Sequence, residues 1–106
     1  MSVSLRGKTD TALDQMLQVF SIYEAKHPGA RIEAYRYNPY SIRIRIVDAG
    51  FEGTGLVARL DYVWEYIETL PEDVQGQMGL CLLMTPEERA SSLENLEFDH
   101  PQPPDG

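Results

Sequence analysis

With 106 residues, 42% of them apolar, the chain has material for one modest core and too little for a second domain. Seventeen Asp and Glu against nine Lys and Arg give a net charge of -8, which opposes long-range attraction to nucleic-acid phosphates. No apolar run approaches the roughly 20 residues of a membrane span, no secretory signal is visible, and the single cysteine, Cys81, excludes an internal disulfide, so a cytoplasmic setting is expected.

Residues 1–9 carry no pattern and are expected to be a flexible N-terminus. From there Leu13, Met16, Leu17, Phe20 and Tyr23 recur at helical spacing, with Thr9 or Asp10 available to cap the first amides. His27-Pro28-Gly29 ends this helix, and His27 reads as a helix-end residue. Two strands follow. In ARIEAYRY, Ile32 and Ala34 alternate with Glu33 and Tyr35, and in SIRIRIVD, Ile42, Ile44 and Ile46 alternate with Arg43 and Arg45. Asn38-Pro39-Tyr40 is turn material, so the two strands form an antiparallel hairpin. Its isoleucine face is expected against the helices, which leaves Tyr35, Tyr37, Arg43 and Arg45 toward solvent.

Gly50-Phe51-Glu52-Gly53 is a tight strand-to-helix turn, with Phe51 plugging the core edge and glycine relieving the backbone. The next helix holds Leu56, Leu60, Val63, Trp64, Ile67 and Leu70 on one face, and Pro71 stops it. PEDVQGQM gives a helical turn or two. Gly79 to Thr85, apolar almost throughout, reads as a covered strand parallel to the second strand, reached by the helical crossover. Thr85-Pro86-Glu87-Glu88 is a capping box that opens a short helix to about Leu96. Residues 98–106 are expected to be a disordered tail. The expected fold is therefore α/β in the α+β sense. It is a single domain over 10–97, with a three-stranded mixed sheet, helices packed on one face, and the order α-β-β-α-α-β-α.

Catalytic and ligand motifs are weak. Gly53-Thr54-Gly55 lacks the larger doubly wound sheet of a dinucleotide fold, and Glu52 repels a pyrophosphate at that helix start. Gly50-Phe51-Glu52-Gly53 meets the bare G-x-x-G pattern of a KH loop, but it follows a strand and is acidic. Cys81 has no histidine partner that the sequence can place, and it reads as a small buried hydrophobe. Asp61, Glu65 and Glu68 share a helix flank and read as solvated acids. No catalytic residue is expected.

A strand ending in Asp48, then Phe51 and Gly53, a helix with Arg59 and Val63, the strand with Leu80, and Thr85-Pro86-Glu87-Glu88 together resemble the BolA-like family over residues 12 to 96. The resemblance implies a small α/β module. Members of that family are thought to pair with monothiol glutaredoxins around a shared iron–sulfur cluster, or to regulate through DNA. This chain is a divergent match. Arg59 stands at the first arginine of the family's Arg-His-Arg, but Leu60 and Asp61 replace the other two residues, and Gln77 lies closest to the missing ligand histidine. Glutamine is a poor iron ligand beside imidazole or thiolate, so no metal and no cofactor are expected.

The expected function is a non-catalytic protein-interaction module, regulatory or adaptor in role, that binds through Tyr35, Tyr37, Arg43 and Arg45. These are residue types favoured at interfaces. A second copy of the chain is one admissible partner and no membrane role is expected. The alternatives are a nucleic-acid-binding regulator using the same Arg/Tyr hairpin face, or a glutaredoxin partner as in the resembled family.

Overall fold

The computed structural model describes residues 3–6, 10–91 and 94–100. In chain order these form β1 (Val3–Arg6), α1 (Thr11–Lys26), β2 (Arg31–Asn38), β3 (Ser41–Val47), a 3₁₀ turn (Ala49–Phe51), α2 (Leu56–Ile67), α3 (Glu72–Gln75), β4 (Met78–Met84), α4 (Pro86–Ser91) and α5 (Glu94–Asp99). The fold is mixed α+β, as the patterning predicts.

Asp10 opens α1: its carboxylate accepts the Leu13 amide at 3.0 Å and also binds Arg36, and Arg36 is the main reason its carboxyl is held below the usual range. The helix ends at His27, and Gly29 turns the chain with φ +96°, a region that side-chain-bearing residues rarely enter. Its buried face is Leu13, Met16, Val19, Phe20 and Tyr23, with Leu17 only partly covered.

The four strands lie in the order β1-β2-β3-β4. β2 and β3 are antiparallel, with Ile32 opposite Ile46 and Ala34 opposite Ile44; β4 runs parallel to β3, with Cys81 opposite Ile44 and Leu83 opposite Ile46. Ile42, Ile44 and Ile46 are fully buried and share one cluster with Leu13, Phe20, Val63 and Ile67. This is the packing that period-two alternation against helical stripes demands.

Three expectations need correction. The sheet has a fourth strand, because Val3–Arg6 pairs in parallel with β2 rather than hanging free; four residues are too short to show periodicity, but they cover an edge of β2 that would otherwise be bare. The remaining residues expected to be flexible at the N-terminus lie outside the described residues. The second correction concerns the helices, which do not keep to one face of the sheet. On the other face, α5 sets the fully buried Phe98 against Tyr35, Val47, Leu82 and Met84 as a second, smaller core. The domain therefore extends past residue 97, and the expected tail begins with a core residue; 101–106 lie outside the described residues. The third correction is to the stripe on α2, whose buried residues are Arg59, Val63 and Ile67, while Leu56 is 70% and Leu60 43% exposed. Their angular position is right for the core, but the start of α2 overhangs the sheet margin.

Candidate functional site

The hairpin face is largely closed by the protein itself. Arg45, expected at the surface, is 1% exposed. Its guanidinium donates to Glu33 Oε1 at 2.9 Å, to Asn95 Oδ1 at 2.8 Å and to Asp99 Oδ2 at 3.2 Å, and it lies 4.5 Å from the Phe98 ring centroid. Tyr35 is buried as well: it meets Phe98 edge-on, and its hydroxyl donates to the Phe98 carbonyl at 2.8 Å. Tyr37 and Arg43 stay half-exposed, with the guanidinium 3.6 Å over the Tyr37 ring and donating to Tyr35 Oη at 3.3 Å. The four residues do lie together, but two of them belong to the second core. The sequence conceals this because a basic strand and an acidic tail each look solvated until they meet.

The loop motif also has an internal role. Phe51 is buried, and Gly53 takes φ +79°. Arg59, buried on α2, donates from Nε to the Thr54 carbonyl at 2.7 Å and from Nη1 to the Leu83 carbonyl at 3.0 Å and Glu88 Oε1 at 2.6 Å. Glu88 completes the capping box, accepting the Thr85 amide at 2.9 Å while Thr85 Oγ1 accepts the Glu88 amide at 3.1 Å. The Arg59 hydrogen bonds, followed by that of the Thr85 amide, pull the Glu88 carboxyl down to about 2. Arg59 thus fastens α2, β4 and α4 together. Gln77, at the place of the missing histidine, accepts from Arg36 Nη2 at 2.7 Å. Among the described residues, no group of three His, Cys, Asp or Glu is placed to hold a metal.

A polar cluster that the sequence hid joins the end of α1 to α2. Asp48 Oδ2 accepts the Tyr23 hydroxyl at 3.0 Å, and its Oδ1 accepts the Gly50 amide at 2.9 Å. His27 stacks on Tyr23 with centroids 4.2 Å apart, and its Nε2 is hydrogen-bonded to Tyr62 Oη at 2.6 Å. These residues line a cavity of about 340 Å³ with Phe51 and Arg59. The order Asp48, His27, Tyr62 has the look of a proton relay, but His27 Nδ1 is 3.9 Å from Asp48 Oδ2, beyond hydrogen-bond reach. The neighbouring Tyr66 hydroxyl, followed by partial desolvation, pushes the Tyr62 phenol to about 12, and burial raises Tyr23 further, so both keep their protons at neutral pH. Phenols held this way are poor nucleophiles. Burial likewise pushes the Cys81 thiol to about 12, which removes the thiolate a catalytic cysteine needs.

Among the described residues, an apolar surface on α2 stays exposed. Leu56 and Leu60 line a groove of about 160 Å³ with Cys81, Leu82, Leu83 and Met84, and Val57, 75% exposed, lies on the same helix. β4 is the terminal strand of the sheet among the described residues. The opposite flank of α2, Tyr62 and Tyr66, packs toward α1 and Tyr23. The sequence announced these leucines as core, and only their position past the sheet margin exposes them.

In comparison with known proteins, no family model, no curated protein and no solved structure matches the chain. No helix among the described residues is long and apolar enough to cross a membrane.

Proposed function

We propose that the protein is a non-catalytic interaction module, cytoplasmic and adaptor-like, whose docking surface is the margin between α2 and β4 rather than the hairpin face. The observation that carries this reading is the exposure of Leu56 and Leu60 in a groove they line with the terminal strand β4, with Val57 exposed on the same helix. Contiguous apolar surface of this kind marks interaction sites, whereas single exposed aliphatics are ordinary. The high-lying phenols and thiol support a non-catalytic role. The half-buried, unpaired cysteine suits a reducing compartment. The order from α1 to α4 is the one expected for a divergent BolA-like module, and Gln77 held by Arg36 supports a reading without a shared cluster.

Nucleic acid is the weaker alternative, since Arg36, Arg45 and Arg59 are all engaged with carboxylates. The test is quantitative capture of partners from native cells, comparing the wild-type chain with a Leu56→Asp/Leu60→Asp variant and with Tyr37→Ala/Arg43→Ala. Loss of the captured partners in the first variant alone is expected. Their retention there, or their loss only in the second, overturns the assignment.

A further inference from the structure

Resting on that reading, we propose that the α2/β4 margin takes its partner by strand addition, and that the partner segment is an extended, apolar stretch of another protein flanked by Lys or Arg. Three features of the margin converge on this.

The first is the direction of the β4 backbone groups. The Met84 carbonyl accepts the Asp48 amide at 2.9 Å, so Met84 turns its main-chain groups toward β3. In a parallel pair, alternate residues point each way, so Leu82 follows Met84, and Cys81 and Leu83 turn their groups outward. The outward Leu83 carbonyl is already taken by Arg59. That leaves the Cys81 amide and carbonyl and the Leu83 amide as the template for an added strand. Arg59 also sets where pairing must stop.

The second is the groove beside that edge. An added strand sends alternate side chains to each face of the sheet, and those on the helical side fall between β4 and the Leu56–Leu60 flank. The edge itself, Met78–Met84, carries no charge, proline or inward-pointing lysine of the sort that protects sheet edges from pairing.

The third is charge, and it selects the occupant. Asp61 and Glu68 stand exposed on the outer side of α2, while Glu52 and Glu87 lie around the C-terminal end of β4. From residue 51 to 85 there are six acids and one base, Arg59, which Glu88 neutralises. A second copy would bring its own β4, flanked by Glu72, Asp73 and Glu87, against this rim, and like charges so placed repel. A segment with basic flanks is attracted instead, and its apolar centre fills the groove. The acidic flank that looked merely solvated in the sequence thereby acquires a selecting role.

The experiment uses the full chain as bait for a display library of random twelve-residue peptides, followed by synthesis of the enriched consensus. The expected result is a consensus of alternating apolar residues bracketed by Lys or Arg. Its affinity should fall at least about tenfold in Leu60→Asp, in Val57→Asp, and when the peptide's basic residues become Glu, since tenfold corresponds to about 1.4 kcal/mol. Binding should weaken with salt and should slow amide exchange at Cys81 and Leu83. Val57 is so exposed that its substitution separates binding from folding. Absence of a consensus, a consensus indifferent to charge, binding that leaves the Cys81 and Leu83 amides unprotected, or a dimer abolished by Leu60→Asp would each overturn strand addition by a basic segment. If partner capture is still lost in Leu56→Asp/Leu60→Asp, the broader interaction reading stands without it. If the peptides bind as expected but capture is unchanged, the broader reading fails.

Discussion

Replacing Arg45 with alanine separates a core residue from a surface one. Its guanidinium is the meeting point of Glu33, Asn95 and Asp99 and stacks on Phe98. Removing one partner of a buried ion pair costs about 3–5 kcal/mol, largely because the opposing charge is left dehydrated. Here the two carboxylates retain 29% and 28% of their side-chain exposure and recover part of their hydration, so the loss falls near the lower limit, about 3 kcal/mol. In a domain of this size that lowers Tm by about 12–24 °C, at roughly 4–8 °C per kcal/mol. Arg43→Ala gives the internal comparison. Its guanidinium lies over a half-exposed Tyr37, an arrangement that contributes about 0.5–1 kcal/mol, and donates to Tyr35 Oη from a half-exposed position, so the fall in Tm should be clearly smaller than for Arg45→Ala. Thermal unfolding followed by circular dichroism, with urea titration to confirm the free energies, resolves the two. Equal losses in both variants, or an Arg45→Ala loss under about 1 kcal/mol, would refute the idea that α5 closes the hairpin face.

Three further outcomes are expected. Val63→Ala should destabilise by about 1 kcal/mol or more through a lost buried methyl pair, whereas Leu60→Ala, beyond the sheet margin, should cost clearly less in the same urea titration. Glu88 has its carboxyl lowered from 4.5 to about 2, so its stabilising contribution is complete above the unfolded value and is lost as pH falls through that window; Glu88→Gln should flatten the acid limb of a stability–pH profile between those values. Cys81, with its thiol raised to about 12, should react with iodoacetamide at pH 8 much more slowly than a free cysteine, and a rate equal to that of glutathione would contradict that shift.

The legible part of the fold lies where a local pattern and a tertiary demand coincide. Ile42, Ile44 and Ile46 alternate because one sheet face is buried, and Leu13, Met16 and Phe20 recur because one helix face meets it. The Thr85–Glu88 capping box is wholly local, and every atom of it is implied by four consecutive residues. Phe98 was not legible, because a lone aromatic in an acidic, proline-rich stretch shows no period; it becomes core only when α5 crosses the far face of the sheet. Arg45 was misplaced for the matching reason, since parity assigned its face correctly but could not say what covers that face. Leu56 and Leu60 show the converse case, in which periodicity fixes the angle around a helix and leaves open whether the partner sheet extends that far. His27 and Asp48, distant in sequence, meet only after the hairpin returns the chain to the end of α1.

The most direct test of the docking margin is amide chemical-shift mapping of the isotope-labelled chain titrated with a captured partner. The expected perturbations concentrate at Leu56, Val57, Leu60 and Cys81, with Tyr37 and Arg43 unmoved. Perturbations centred on Tyr37 and Arg43, with the α2/β4 margin silent, would contradict the account.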